Sequence, residues 1–473
     1  MTRRTFAAGL LGALAPPLPP LPKRSPNILF ILPDQLRAQA LHCYGDPNVR
    51  TPNIDRLASE GLTFHNTVAN TPVCCPARAN MLTGRYAHKN GMVANDLRLR
   101  ESETTYSELL HGAGYRTGFI GKWHLDGGPR LPGFVPPGPR RHGFEFWAAN
   151  ECSHTHFNTH YFRDTPEPIP IQKFEAEGWT DIAIEFLKQT STDTRPFLLT
   201  VQMGPPHDPY KAPPEYGKLY DPVQLKLRPN WQPTPGATRA DIAEYYGMIT
   251  AVDEQIGRLL RTLDELSISD DTVVLLASDH GDMLGSQGQR LKRKPWDESI
   301  RVPGIVRYRR KTEPGRATDV FFTHVDFAPT FLGLAGVKAP STMQGVDLSG
   351  LIRGESSKGR DSAFLQIFGP YDGDGTPAAW RGVRTARYTY ARTKDKPWLL
   401  YDNARDPYQL NNLIDQPRSQ PLRKHLEDSL NQWMLRTADD WSQDWSVKVE
   451  DAGRLYKDKA YYSVNEYLED HNR

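Results

Sequence analysis

Cysteine is scarce in this chain: Cys43, Cys74, Cys75 and Cys152 are the only four among 473 residues. That density excludes a disulfide framework as the organising principle. An excess of charge of one sign is lacking as well. Fifty-eight Lys and Arg stand against 56 Asp and Glu, a net charge of +2. Composition therefore predicts no polyanion-coating surface and no nucleic-acid partner, although Arg37, Arg78, Arg98 and Arg100 could gather around a local anionic ligand. No stretch is long and apolar enough for a permanent transmembrane helix, so no stable membrane insertion is expected. Internal repeats are missing, and beyond the first 25 residues so are low-complexity tracts.

What is present suits a soluble globular enzyme. Hydrophobic residues make up 38% and charged residues 24%, and 40 prolines with 37 glycines imply many loops. The length exceeds one typical core, which predicts a large domain plus a smaller one.

The N-terminal Met1-Thr2-Arg3-Arg4-Thr5-Phe6, followed by an apolar run to Ala15, resembles a bacterial export signal of the twin-arginine type. An ordinary secretory signal that happens to carry two arginines is the alternative. Ala13-Leu14-Ala15 offers a cleavage tripeptide, and the proline-rich residues after it read as a leader. The expected division is 1–25 export signal and leader, 26–364 catalytic domain and 365–473 C-terminal subdomain. The expected location is periplasmic or secreted.

Four apolar runs of strand length each end in ionisable residues. Asn27–Leu32 leads to Asp34, Tyr115–Ile120 to Lys122 and His124, Phe197–Met203 to His207, and Thr272–Ser278 to Asp279 and His280. Continuous apolar runs fit strands buried on both faces of a parallel sheet, and such sheets bind ligands at the carboxyl ends of their strands. Amphipathic spacing predicts helices at 51–61, 178–187 and 239–266, the last with an apolar stripe from Ile242 to Leu266 that is core. From about residue 365 short alternating runs at 381–385, 387–391 and 398–401 predict a small antiparallel sheet covered by a helix over 422–435. The fold class is thus α/β: a large mixed, mostly parallel sheet flanked by helices, plus a smaller C-terminal antiparallel sheet with a helix.

The run Cys74-Cys75-Pro76-Ala77-Arg78-Ala79-Asn80-Met81-Leu82-Thr83-Gly84 reads as a short helix. Pro76 suits the first turn and Gly84 can stop it. Cys74 then sits at the helix N-terminus, where free N–H groups and the positive dipole end favour an anion, with Arg78 one turn along. Residue physics leaves two readings: a buried packing cysteine, or an activated nucleophile in an electropositive pocket.

The Cys-x-Pro-Ala-Arg run followed by Met-Leu-Thr-Gly closely resembles the motif of type I sulfatases, an alkaline-phosphatase-like family. In that family this cysteine is oxidised to 3-oxoalanine (formylglycine) by a formylglycine-generating enzyme, which would be a transient partner. The resemblance covers roughly residues 25–340, and more weakly 402–413. It implies one Ca2+ held by Asp34, Cys74, Asp279 and His280, and attack on the sulfur of a sulfate ester by a hydroxyl of the hydrated aldehyde. It further implies that Arg78 and Lys122 hold the diol and the sulfate, that His124 is the base in the elimination, and that His207 and Lys292 sit on the leaving oxygen. Lys292 is preferred to Lys294 because it lies five residues before Asp297, as in the family. The chain departs from the family where Pro33-Asp34 replaces two consecutive acids, which removes one carboxylate from the expected metal site.

His154, His156 and His160 form a dense cluster without a metal spacing. They read as a substrate-facing loop or as polar surface. The expected activity is hydrolysis of a sulfuric ester, on a carbohydrate rather than a simple aryl compound. The alternatives are a phosphodiester or phosphonate monoester hydrolase of the same superfold, and a non-catalytic binding protein for sulfated glycans.

Overall fold

The computed structural model describes residues 25–128, 133–190, 193–371, 375–446 and 459–471. The expected export signal and most of its leader lie outside these residues. Fourteen strands are described: β1 (Asn27–Pro33), β2 (Leu62–Val68), β3 (Arg116–Lys122), β4 (Phe146–Asn150), β5 (Phe157–Tyr161), β6 (Ile169–Phe174) and β7 (Phe197–Met203), then β8 (Thr272–Leu276), β9 (Ile305–Arg307), β10 (Arg316–Thr323), β11 (Ser362–Ile367), β12 (Trp380–Thr385), β13 (Tyr388–Thr393) and β14 (Pro397–Asp402).

Eight of them make one sheet in the order β10-β2-β9-β8-β1-β7-β3-β4. All pairings are parallel except those of β9, which runs antiparallel to β2 and β8. Side chains alternate across β1 and feed two separate cores. Ile28, Phe30 and Leu32 join a core with the helix His324–Ala335 on one face. Leu29 and Ile31 join the other, with the helices Glu175–Thr190 and Arg239–Glu265. A strand covered on both sides has no polar face, which is why its sequence reads as a continuous apolar run.

The order matters more than the count. β8, β1, β7 and β3 are consecutive neighbours, and all three pairings between them are parallel. The four runs singled out by their polar ends therefore finish along one edge of the sheet, within roughly 15 Å at the usual strand spacing. Gly121, the penultimate residue of β3, has φ +104°, and a Cβ there would lie 1.8 Å from the carbonyl oxygen of Gln202. Only glycine lets β3 close so tightly on β7 just before Lys122.

β11 to β14 form an antiparallel sheet. The helix Gln420–Thr437 packs against it through Leu426, Leu430 and Trp433. β11 begins at Ser362, so the texture change expected at residue 365 falls inside a strand. Ser362–Ile367 is wholly buried, and a buried strand offers no turn residues to mark where one unit passes into the next. The strands β2, β9 and β10 and the β5–β6 hairpin were not anticipated. β2 and β10 mix Thr, His, Asn, Arg and Asp into their runs, and β9 is three residues long. No helix among the described residues is long and apolar enough to cross a membrane.

Candidate active site

The helix Cys74–Thr83 starts after Val73, whose backbone is extended, and stops at Gly84 with φ 65°. All ten of its residues are buried. Pro76 lies in the first turn, where a missing N–H costs nothing, and the N–H of Cys75 donates to Asn95 Oδ1 at 3.1 Å. The helix drives Cys74 into the edge where β8, β1, β7 and β3 end.

Around the Cys74 sulfur the strand ends converge. His280 Nε2 and Lys292 Nζ each lie 3.2 Å from Sγ. His280 Nδ1 donates to the carbonyl of Gly281 at 3.0 Å, which turns Nε2 toward the sulfur. Burial pushes the thiol up, but the charge of Lys292, then Lys122 and His280, outweighs it and holds Cys74 well below the usual thiol range. Of the two readings of Cys74, its surroundings match the electropositive pocket.

Arg78 and Lys122 are locked by carboxylates. Arg78 Nη2 donates to Asp34 Oδ2 at 3.0 Å and to Asp279 Oδ2 at 2.9 Å, and its Nη1 donates to the Lys122 carbonyl at 2.9 Å and to Gln202. Lys122 Nζ donates to Asp34 Oδ2 at 2.6 Å. None of Asp34, Cys74, Arg78, Lys122, His124, His207, Asp279, His280 and Lys292 is more than 4% exposed. In so dry a site charge–charge interactions are far stronger than in water. Burial and the Cys74 charge push the Asp34 carboxyl up, yet Lys122, His207 and Arg78 together hold it well below the carboxylate range.

Asp34, Cys74, Asp279 and His280 each present a ligand atom within 4.8 Å of the others. Asp34 Oδ1 is buried and makes no hydrogen bond. Its nearest partner is His280 Nε2 at 3.5 Å; an anionic oxygen without a hydrogen bond in a dry pocket is costly, and a hard cation would satisfy it. The donor set therefore fits a divalent metal. Gln35, which follows Asp34, joins the same cluster. Its backbone N–H donates to Asp279 Oδ1 at 3.1 Å, and its side-chain oxygen accepts from Lys292 at 2.9 Å.

On the far side of Cys74, Lys292 Nζ lies 2.9 Å from His207 Nε2. His207 Nδ1 donates to the Asp208 carbonyl at 2.6 Å; burial and Lys292 push His207 down, but Asp208 and Asp34 together raise it above the usual imidazole range. His124 Nε2 meets Asp96 Oδ1 at 3.0 Å. Burial alone would push His124 down, but Cys152, Cys75 and Asp96 raise it well above the usual imidazole range.

The three clustered histidines separate into different roles. His156 is 3% exposed, bonded at 2.6 Å both to Glu175 Oε1 and to the His207 carbonyl; it props the His207 loop and does not face outward. His154 stacks on the His207 ring with centroids 4.4 Å apart. His154 and His160 line a cavity of about 290 Å³ with Asn150, Glu151, Ser153 and Asn158. Lys294 is turned away to Thr376 Oγ1 at 2.8 Å, which leaves Lys292 as the lysine at the sulfur. Of the four arginines singled out for an anionic ligand, Arg78 is at the centre. Arg37 Nη1 lies 3.4 Å from the Asp282 and Met283 carbonyls, and Arg98 donates to the Asp126 carbonyl at 2.8 Å.

Gln35, Asp96, Gln202, Asp208 and Glu151 were not anticipated. Glu151 Oε1 accepts from the N–H groups of Asp126 and Gly127, and burial beside Asp126 pushes its carboxyl up to about 8. Gln35 and Asp208 adjoin residues already singled out, which is the one signal that could have found them. Asp96 lies in a stretch with no motif, whereas Gln202 is the penultimate residue of the apolar run Phe197–Met203, where its polar side chain was the available signal.

The sulfatase family profile matches residues 26–337, and the family of N-sulphoglucosamine sulphohydrolase C-terminal regions matches residues 285–436. The ulvan-active sulfatase of Formosa agariphila is 39% identical over 430 residues, covering 89% of this chain and 84% of the relative. The endo-4-O-sulfatase of Bacteroides thetaiotaomicron is 32% identical, covering 82% of this chain and 88% of that one. Among solved structures, a putative sulfatase of Bacteroides fragilis superposes with a TM-score of 0.81 at 30% identity, covering 92% of this chain and 99% of its own.

Proposed function

Because this chain belongs to the sulfatase family and is accordingly a hydrolase of sulfate esters, we propose that it removes sulfate from a sulfated saccharide, with a nucleophile made by oxidation of Cys74 to formylglycine. The observation that supports this most is Cys74 Sγ within 3.2 Å of both Lys292 and His280 at the mouth of a buried helix. The saccharide class rests on the relatives named for ulvan and for N-acetylglucosamine 6-O-sulfate.

Asp34, Asp279, His280 and the converted Cys74 would hold a calcium ion, with one carboxylate fewer than the common family pattern. When bound, that ion supplies positive charge against the developing oxyanion and acidifies a neighbouring hydroxyl. The chain's own groups do the rest. Arg78, braced by Asp34, Asp279 and Gln202, and Lys122, braced by Asp34, orient the sulfate oxygens without reorganisation. Lys292 holds a proton toward the leaving oxygen, and His207 fixes its direction through Nε2. His124, backed by Asp96 and held above the usual imidazole range by its neighbours, must release its own proton before it can accept one in the step that restores the aldehyde. His154, stacked on His207, borders the side from which the sugar enters.

A formylglycine-generating enzyme is the partner this chemistry needs, and export through the twin-arginine-like N-terminus would deliver an already converted, folded enzyme. The test is tryptic mass analysis of the Cys74 peptide after co-expression with a converting enzyme, together with sulfate release from a panel of sulfated saccharides. The aldehyde mass with sulfate release is expected. A peptide found wholly as thiol, in protein that still binds sulfated glycans, would make the chain a binding protein. Faster turnover of an aryl phosphate diester than of the matched aryl sulfate would make it a phosphoryl hydrolase.

A further inference from the structure

We propose that His156 and Glu175 are a positioning pair for the leaving-group side of the reaction. Through one hydrogen bond to the His207 backbone they set where the His207–Lys292 contact stands, and with it how far the enzyme reaches beyond activated esters. This rests on the reading above that His207 and Lys292 face the leaving oxygen. His156 acts through His207 and not on the ester itself.

His207 ends the turn Gly204-Pro205-Pro206-His207 that follows β7, and its N–H closes the turn on the Gly204 carbonyl at 3.1 Å. The pair holds this turn at both ends. At the first, a Cβ on Gly204 would lie 2.3 Å from Glu175 Oε1, so only glycine lets the carboxylate sit against the turn. At the second, His156 Nε2 donates to the His207 carbonyl at 2.6 Å, and His156 Nδ1 meets Glu175 Oε1 at the same distance. A carbonyl oxygen only accepts, so Nε2 carries a proton. Glu175 is itself fixed twice: its Oε2 accepts from Trp179 Nε1 at 3.0 Å, and its backbone N–H donates to the His156 carbonyl at 2.8 Å. It is the first residue of the helix Glu175–Thr190, where the dipole favours a carboxylate.

Both side chains are buried. Apolar side chains of similar volume commonly stabilise such a space as well as a buried histidine–carboxylate pair does, or better. What the polar pair adds is direction, because two short bonds in series define the place of one backbone carbonyl. The ring on that same residue stacks against His154, and its Nε2 lies 2.9 Å from Lys292 Nζ, which stands 3.2 Å from Cys74 Sγ. Contacts therefore run without a break from the start of a helix, through His156, His207 and Lys292, to the sulfur. An error of about 1 Å in aiming a reacting group can cost about 100-fold. That cost falls on leaving groups that need a proton: an alkoxide, as a sugar would give, needs one, and an activated phenolate hardly does.

The test compares His156→Asn with His156→Gln in protein co-expressed with a converting enzyme. The amide of His156→Asn stands where Nδ1 was, keeping a donor toward Glu175 and losing the one on the His207 carbonyl; the longer amide of His156→Gln reaches the place of Nε2 and keeps it. Both lose the ring, so both should lower the unfolding midpoint alike. On an alkyl or saccharide sulfate, kcat of His156→Asn should fall about 10- to 100-fold with KM nearly unchanged, and His156→Gln should recover to within about threefold of the wild type. On an activated aryl sulfate the loss in His156→Asn should be much smaller. Equal kcat in the two variants on the alkyl ester overturns the proposal. Lys292→Ala is measured beside them. If it spares the aryl ester and His156→Asn does not, the pair does not act through His207 and Lys292, and the proposal is overturned. If Lys292→Ala itself loses equally on both esters, it is the leaving-side reading that fails, and the contrast between the two His156 variants alone decides whether the pair positions His207.

Discussion

Lys292 and Cys74 are 218 residues apart in the chain, and their Nζ and Sγ atoms lie 3.2 Å apart. The same Nζ lies 2.9 Å from His207. One ammonium thus faces both the Cys74 sulfur, whose place the proposed nucleophilic hydroxyl would take, and His207, and this sets the first expectation.

Lys292→Ala should lower kcat by about 10²–10⁴ on an alkyl or saccharide sulfate, the range for loss of a positioned proton donor. On an aryl sulfate with a good leaving group the loss should be much smaller, since little protonation is needed there. Parallel kinetics on the two esters check this, and equal losses would assign Lys292 to sulfate binding.

Cys74 and Cys75 are neighbours with opposite fates. Burial, partly offset by His124, pushes the Cys75 thiol up, and its sulfur accepts the Asp96 N–H at 3.3 Å, a packing role. Cys74→Ala is expected to cost on the order of 10⁴ or more in sulfate release. Cys75→Ala should stay within about tenfold, with a lowered unfolding midpoint. Assay and thermal melts of the two variants separate the roles.

Asp34 Oδ1 has no hydrogen-bond donor, so chelation should both stop turnover and destabilise the fold. With calcium present at 100 times its dissociation constant, its removal costs about 2.7 kcal/mol by mass action. Melting with EGTA, with EGTA followed by excess calcium, and with calcium alone tests this. Asp34→Asn should need more calcium for the same midpoint. An unfolding midpoint indifferent to chelation would falsify the metal assignment.

Asp96 meets His124 at 3.0 Å. Asp96→Asn removes the charge that favours the imidazolium, and kcat should fall about 100-fold with KM nearly unchanged. A change confined to KM would place this pair in substrate binding.

Acid stability should report a buried histidine, His324, packed behind the strand end that carries Asp279 and His280. Burial pushes His324 from 6.5 down to about 3, and its ring is bonded to the Ser278 carbonyl at 3.0 Å. Between those values the unfolded chain binds a proton that the folded chain refuses, so this contribution is intact above pH 6.5 and is lost as the pH falls toward 3. The full loss is on the order of 4–5 kcal/mol. Urea unfolding at several pH values from 7 to 4 should show His324→Gln with a flatter dependence than the wild type.

Much of the site was legible because its chemistry is local. Asp34, Lys122, Asp279 and His280 each follow an apolar run within three residues, and Cys74 opens a helix whose stop, Gly84, is visible in the chain. Asp96 was not legible, since it acts through long-range hydrogen bonds that leave no periodic trace, while Gln202 was passed over although it breaks the apolar run Phe197–Met203. His156 misled for a related reason. Its neighbours His154 and His160 line the cavity, but a histidine in a turn can point either way, and Glu175 together with the His207 carbonyl draws it inward.

The sequence by itself determined the α/β class, the helix carrying Cys74 and the set of polar strand ends, because burial on two faces and helix-terminal chemistry are written in short stretches of residues. Only the tertiary structure decided that β8, β1, β7 and β3 are neighbours, that Lys294 is held instead by Thr376, and that the C-terminal unit packs Trp398 against Trp296 of the same segment. Strand order and the docking of distant loops depend on pairings between segments hundreds of residues apart, and no local pattern encodes which partner a buried strand will choose.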